Sequence, residues 1–265
     1  KVNKDRGFQV GIHVDAASGG FIAPFQEDLP DWDFRLKNVL SISASGHKFG
    51  ESCIGTGWVV WRQRKNLSDH VAISVSYLGG TGESYNLNFS RPASGIYVQY
   101  YKFLRYGIAG YQKICEHMMT HAQKIRAGLE RMKFEGKPRF IILDDGDKDC
   151  LPVVTAMLNP ECNFEYDDID LQHAISEHNW YVSGYKMNFE DPITKQDKPI
   201  FTDQESSKSM FRVVVKNNIN AIMVDNLIDA FAKTLEMLDS IEFKNKSNRD
   251  FKGMHRKKNL FSKHC

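Results

Sequence analysis

Two blocks near the start of the chain gather residues able to do chemistry. They are His13-Val14-Asp15-Ala16-Ala17-Ser18-Gly19-Gly20 and Ser43-Ala44-Ser45-Gly46-His47-Lys48-Phe49-Gly50. In the first, Ile12, Val14 and Ala16 alternate with His13 and Asp15, which puts a carboxylate at the carboxyl end of a strand. In the second, Lys48 sits on a turn after the apolar run Val39–Ser43. Ligands of open α/β sheets collect at that edge of the sheet. An amine there can hold an aldehyde cofactor covalently. A carboxylate can keep a heteroaromatic ring nitrogen protonated, which makes the ring an electron sink. The small residues let a flat ring lie close to the backbone, and Ser45 and His47 can donate hydrogen bonds to a phosphate.

Each signal is weak alone, because a strand-end aspartate is often structural and a loop lysine is usually solvated. His13 and Asp15 lack a third ligand at a suitable spacing, so no metal site is expected. Gly79-Gly80-Thr81-Gly82 lacks the Lys-Ser/Thr of a phosphate loop, and Ser18 lacks the GxSxG frame of a hydrolase nucleophile.

The surrounding pattern is that of an α/β protein. Gly57–Trp61 reads as a third strand, fully buried on its unbroken apolar pattern. Val71–Tyr77 and Tyr85–Phe89 flank a glycine-rich segment and predict a hairpin. After Pro92 the spacing of Ile96, Tyr100, Phe103 and Leu104 predicts a long helix over 94–131, broken near Gly107 and Gly110. Phe140–Leu143, Val153–Leu158, Tyr181–Met187 and Met210–Val215 read as strands. Asp167 is placed to cap a helix carrying Leu171, Ala174, Ile175 and His178. Val224, Leu227, Ile228, Phe231, Leu235 and Leu238 mark a last amphipathic helix. Residues 190–208 read as loop. Two strand–helix groups joined by a long helix give a two-part architecture.

Composition narrows the function classes. The 265 residues carry 35 Lys+Arg against 33 Asp+Glu, a net charge of +2, so no global field favours nucleic acid or a membrane surface. With 42% hydrophobic and 26% charged residues, the chain is globular rather than disordered. It shows no apolar run of membrane-spanning length and no signal peptide. The cysteines, Cys53, Cys115, Cys150, Cys162 and Cys265, are odd in number and contain no CxxC pair. That excludes a disulfide framework or zinc ribbon and fits a reducing, cytoplasmic setting.

Six segments in order carry a resemblance: 12–20, Trp32-Asp33-Phe34-Arg35, 45–50, Gly57-Trp58-Val59-Val60-Trp61-Arg62, Tyr77-Leu78-Gly79-Gly80 and Asn88-Phe89-Ser90-Arg91-Pro92. Together they resemble the glutamate decarboxylases among the pyridoxal-phosphate-dependent group II decarboxylases, densely from about Gly11 to Tyr111 and more thinly beyond. The resemblance implies the fold-type I, aspartate aminotransferase-like α/β fold. It implies pyridoxal 5'-phosphate as cofactor, L-glutamate as substrate and a homo-oligomer, a dimer or larger. Lys48 would be the Schiff-base lysine, Asp15 would pair with the pyridine nitrogen, and Ala17 would pack on the ring. Ser45 and His47 would bind the phosphate. Ser90 would reach a neighbouring subunit's cofactor site, with Phe89 beside its substrate. Tyr77 and Leu78 would lie on a flap over the site. Arg212, in Met210-Phe211-Arg212-Val213-Val214, would hold the substrate α-carboxylate through its planar fork.

The family has a long part ahead of the block that holds Asp15. The chain is therefore expected to be a C-terminal portion. Residues 1–118 would be the end of the cofactor-binding large domain, 119–251 the small domain, and 252–265 a tail. Such a piece is expected to bind cofactor weakly or not at all and to be inactive alone. The alternatives are another group II decarboxylase, acting on an aromatic amino acid or sulfinoalanine, and a non-catalytic interaction module in which Lys48 is an ordinary loop lysine. Eight basic residues stand between Lys244 and Lys263, with Asp250 the one acid among them. The ending, with His264 next to last, is similar to tails of bacterial members in which a histidine closes the site as pH rises.

Overall fold

The computed structural model describes residues 2–8, 10–75, 82–85, 91–144, 146, 150–186, 188–190, 193–199 and 209–241. The chain divides into two compact units. The first comprises 1–126, 144–154 and 214–221, and the second 127–143, 155–213 and 222–265.

The first unit opens with a short helix, α1 (Val2–Arg6), and a sheet of β1 (Ile12–Asp15), β2 (Val39–Ser45) and β3 (Gly57–Trp61) in the order β1-β2-β3. β1 and β2 run parallel, with His13 opposite Ser41 and Asp15 opposite Ser43. β3 returns antiparallel and sets Ser45 opposite Gly57. Ala16, Val39 and Ile42 form a small core that Val14, Trp32 and Phe34 cover. Arg62 ties the crossover down. Its guanidinium donates to the carbonyls of Phe34, Leu36 and Val39 and lies over the Phe34 ring. A hairpin of β4 (Ile73–Val75) and β5 (Gly82–Ser84) follows. Its tip lies outside the described residues.

The long helix α2 spans Ser94–Arg131, with a break at Gly107, where φ is 57° and ψ is −168°. Glycine reaches that left-handed φ without a Cβ penalty. Beyond the break Tyr111, Cys115, Met118, Ala122, Ile125 and Leu129 are buried at alternating spacings of four and three, one apolar stripe. Before the break the burial differs. Ile96, Tyr100 and Leu104 are exposed while Gln99 is fully buried. β3 also differs from its sequence reading, since Trp58, Val59 and Val60 are exposed. A continuous apolar run predicts a strand covered on both faces. Here β3 is an edge strand whose only sheet neighbour among the described residues is β2.

The second unit begins with the β-ribbon β6 (Lys133–Phe134) and β7 (Lys137–Pro138). Then come β8 (Phe140–Ile142), β9 (Val153–Leu158), α3 (Asp168–Ile175), β10 (Ser183–Lys186), β11 (Asn188–Glu190), β12 (Asp197–Pro199), β13 (Ser209–Val214) and α4 (Ala221–Ser240). The four-stranded sheet has the order β10-β13-β9-β8. Asp167 caps α3 with a full capping box, accepting from the Ile169 and Asp170 amides while Asp170 reaches back to the Asp167 amide. Phe140, Phe211 and Phe231 interlock at centroid distances of 5.4–6.2 Å and close the core between sheet and α4. The stretch 190–208, read as loop, contains β12, which pairs antiparallel with β11. Its polar composition gave no strand signal.

Candidate active site

The structure brings Asp15 and Lys48 to one end of the β1–β2 pair. Asp15 is the last residue of β1. Its Oδ1 accepts from the Ala17 amide at 3.0 Å and from Ser43 Oγ at 3.4 Å. These two bonds hold the carboxylate against the strand end. The backbone then turns closely over β2. The Ala16 amide donates to Ser43 O at 2.9 Å and the Ser45 amide to Ala17 O at 3.1 Å. At Gly20 the approach is tightest, because a Cβ there would stand 2.6 Å from the Ala44 Cβ.

Lys48 leaves β2 on a turn closed by its own amide, which donates to Ser45 O at 3.3 Å. Its Nζ donates to Ser18 Oγ at 3.4 Å. The lysine head is thereby turned back toward the loop that follows Asp15. His47 is fixed twice by one carbonyl, through its amide (3.3 Å) and its Nδ1 (2.9 Å) to Thr56 O. A carbonyl only accepts, so Nδ1 carries the proton. Nε2 is the nitrogen left to face a ligand, and it donates to one only in the doubly protonated ring.

The turn has further anchors that sequence reading did not find. Gln99 Nε2 donates to Gly50 O at 2.9 Å and to Tyr111 Oη at 3.1 Å, and Tyr111 Oη donates to Gly50 O at 3.2 Å. Ser52 Oγ donates to Gly95 O at 2.6 Å. Lys216 Nζ donates to Lys48 O at 2.6 Å. Burial pushes the Lys216 ammonium below its ordinary range. Glu51 opposes that shift and the charge of Lys48 adds to it. A polar Gln99 on the apolar stretch of α2 was the one sequence signal for this network. Nothing in the sequence marked Lys216. Ser18, dismissed as a nucleophile, serves as the lysine's hydrogen-bond partner.

Arg212 lies in the second unit on an exposed position of β13, with its guanidinium 5.9 Å from the centre of the Tyr185 ring. Tyr77, Leu78, Phe89, Ser90 and His264 fall outside the described residues. Among the described residues no group of three or more His, Cys, Asp or Glu could hold a metal ion. Amine, carboxylate, hydroxyls and imidazole at one sheet edge form a donor set suited to an aldehyde cofactor with a ring nitrogen and a phosphate. The residues present fit such a group.

Residues 3–154 match the pyridoxal-dependent decarboxylase conserved domain. The chain belongs to the pyridoxal-dependent decarboxylase family. Within that family it is 37% identical over 239 residues to a glutamate decarboxylase of Lactococcus lactis subsp. lactis, covering 89% of this chain and 46% of that protein. The solved structure of a Lactobacillus brevis glutamate decarboxylase superposes with a TM-score of 0.75 at 34% identity, over 91% of this chain and 50% of that one. A sphingosine-1-phosphate lyase of Burkholderia pseudomallei, 19% identical, shares the fold with a TM-score of 0.64, over all of this chain and 51% of that one. The fold is that of the fold-type I pyridoxal-phosphate-dependent enzymes. The chain spans about half the length of the curated relatives it matches. No helix among the described residues is long and apolar enough to cross a membrane.

Proposed function

We propose that this decarboxylase-family chain carries the catalytic lysine of a glutamate decarboxylase, which converts L-glutamate to 4-aminobutanoate and carbon dioxide. The observation that carries the reading is Lys48 Nζ turned onto Ser18 Oγ at the strand end that holds Asp15. The level of identity to glutamate decarboxylases across nearly nine-tenths of the chain supports the substrate. Bound pyridoxal phosphate supplies the electron sink for the pair released as the α-carboxylate leaves.

The chain's own residues do the rest. Lys48 is the covalent attachment point. Asp15 keeps the ring nitrogen protonated, and Ala17 lies on the ring face. Ser45 and His47 hold the phosphate. Arg212 grips the α-carboxylate. Lys48 Nζ, or a residue of the flap at Tyr77 and Leu78, returns a proton to the substrate Cα. Phe89 and Ser90 serve a neighbouring subunit, and His264 closes the site as pH rises. The exposed apolar faces of β3 and the first turns of α2 support a homo-oligomer. The setting is cytoplasmic. Residues 1–118 belong to the cofactor-binding domain, 119–251 to the small domain and 252–265 to the basic tail.

The test uses the protein expressed from its complete coding sequence. Borohydride reduction with pyridoxal phosphate should leave a pyridoxyl group on Lys48 in the peptide map. Lys48→Ala should abolish both that adduct and carbon dioxide release from glutamate. An adduct elsewhere, or undiminished turnover in the variant, would refute the assignment.

A further inference from the structure

The Lys48 side chain can aim only as well as its backbone is held. Three groups grip the turn that carries it. The Thr56 carbonyl holds His47, and Gln99 with Tyr111 holds the carbonyl of Gly50. The carbonyl of Lys48 itself is held by one side chain among the described residues, Lys216, at 2.6 Å. Lys216 comes from the segment 214–221, which packs into the first unit although it is far away in sequence. Its own position is fixed. The Val215 amide beside it donates to Pro152 O at 2.9 Å, and Val215 is buried. The half-buried ammonium lies 4.9 Å from the centre of the Phe49 ring, the residue after Lys48. It thus contacts two consecutive residues of the turn, one through a charge-assisted hydrogen bond and one through a ring face.

We infer that Lys216 is a positioning residue for Lys48, fixing the peptide after the lysine and so the direction in which its amine projects toward Ser18 and the end of β1. A carbonyl pinned at 2.6 Å removes rotation about the Lys48 Cα–C bond, which would otherwise swing the Cα–Cβ vector relative to the sheet. A reacting amine displaced by about 1 Å loses up to roughly a hundredfold in rate. Burial disfavours the ammonium of Lys216 while Glu51 favours it. Glu51 is itself held by Lys102 at 3.0 Å, so the local charges compensate one another. Lys216 touches neither the cofactor nor the substrate in this assignment. It acts through Lys48.

The inference rests on the reading of Lys48 as the cofactor lysine, and its test separates the two. Lys216→Met removes the donor and keeps the apolar stem, whereas Lys216→Arg keeps a cationic donor. Both are compared with the parent protein, expressed from the complete coding sequence, for the rate at which pyridoxal phosphate becomes borohydride-trappable on Lys48. The folded fraction is followed by far-ultraviolet circular dichroism. Lys216→Met should slow trapping about tenfold at unchanged folded fraction, and Lys216→Arg should return the rate to within about threefold of the parent. Trapping by Lys216→Met at the parental rate would overturn the inference. So would a loss that only follows a fall in folded fraction and is equal in Lys216→Arg. Failure of the parent itself to trap cofactor on Lys48 would instead overturn the reading of Lys48, and this inference with it.

Discussion

Gly46→Ala tests how the lysine turn is built. Gly46 lies two residues before Lys48 and is buried. Its φ is not in the left-handed region, so alanine brings no backbone strain. The added Cβ would stand 2.3 Å from Gln99 Oε1 and 3.2 Å from Thr56 Cγ2. Ordinary contact requires about 1 Å more from Gln99. A free glutamine would swing away at little cost, but Gln99 is fully buried and its Nε2 is committed to Gly50 O and Tyr111 Oη. Relief must break those bonds or move the turn. Overpacking of this kind costs about 1–3 kcal/mol, and each lost buried hydrogen bond adds roughly 1 kcal/mol. The expected loss is about 2–4 kcal/mol, which lowers Tm by roughly 5–12 °C in a chain of this size. Gln99→Ala alone is also costly, because it vacates a buried site and strands the bonds to Gly50 and Tyr111. It also makes room for the methyl that Gly46→Ala introduces. In a double-mutant cycle read by urea unfolding, Gly46→Ala with Gln99→Ala should therefore be more stable than the additive sum by at least about 1 kcal/mol. A Gly46→Ala protein within about 0.5 kcal/mol of the parent, or strict additivity, would refute the packing argument.

Two predictions concern the second unit. Asp168 is nearly fully buried, and burial pushes its carboxyl up to about 6, against the pull of Ser209 Oγ and the Leu158 amide. Its folded pKa exceeds the unfolded one, so the folded state binds the extra proton between about pH 4 and 6. This contribution to stability is full below about pH 4 and is lost as pH rises through about 6, an order of 3 kcal/mol. Asp168→Asn, whose amide can still accept from Leu158 and donate to Ser209, should flatten that part of the stability–pH curve. An unchanged curve in urea titrations would show that Asp168 is not its source. In the Arg139–Asp239 pair, Arg139 donates through both Nη atoms to the Asp239 carboxylate at 3.1 and 2.7 Å and to Tyr166 Oη, packed between Phe134 and Phe164. Asp239→Ala leaves a buried guanidinium unpaired and should cost about 3–5 kcal/mol. The paired replacement Arg139→Met with Asp239→Leu should cost less, and equal losses in urea unfolding would contradict the desolvation argument.

The elements most legible in the sequence are those whose pattern is local. Asp167 announces its helix because a capping box is written in adjacent residues. The bounds of α2 follow from side-chain spacing, and a break near Gly107 and Gly110 from the two glycines, of which only Gly107 departs from helical geometry. The strand Val153–Leu158 follows from its apolar run between breakers. What failed depended on neighbours. The apolar run of β3 predicts burial, but covering a strand requires other elements, and β3 has only β2 beside it among the described residues. The hydrophobic stripe of α2 before Gly107 is real as a pattern, yet Gln99 is fully buried there while Ile96, Tyr100 and Leu104 are exposed, because its amide reaches the Gly50 carbonyl and Tyr111 Oη.

The same division explains the site. The placement of its proposed reactive groups could be read because Asp15 ends β1 and Lys48 lies on the turn after β2, and parallel neighbours must put their carboxyl ends at one edge. Their supports could not be read. Ser18, Thr56, Gln99, Tyr111 and Lys216 come from four separate stretches, and only the folded unit brings them around one turn. An isolated lysine on a loop samples many directions, and chemistry on one atom requires one direction. The chain meets that requirement by fixing three carbonyls, those of Thr56, Lys48 and Gly50, to the side chains of His47, Lys216 and Gln99. The proposed reactive residue is thus specified locally and its aim globally. Variants at Gly46 and Lys216, neither of which contacts the cofactor in the proposed assignment, should therefore disturb Lys48 more than variants at solvent-facing positions nearer to it in sequence.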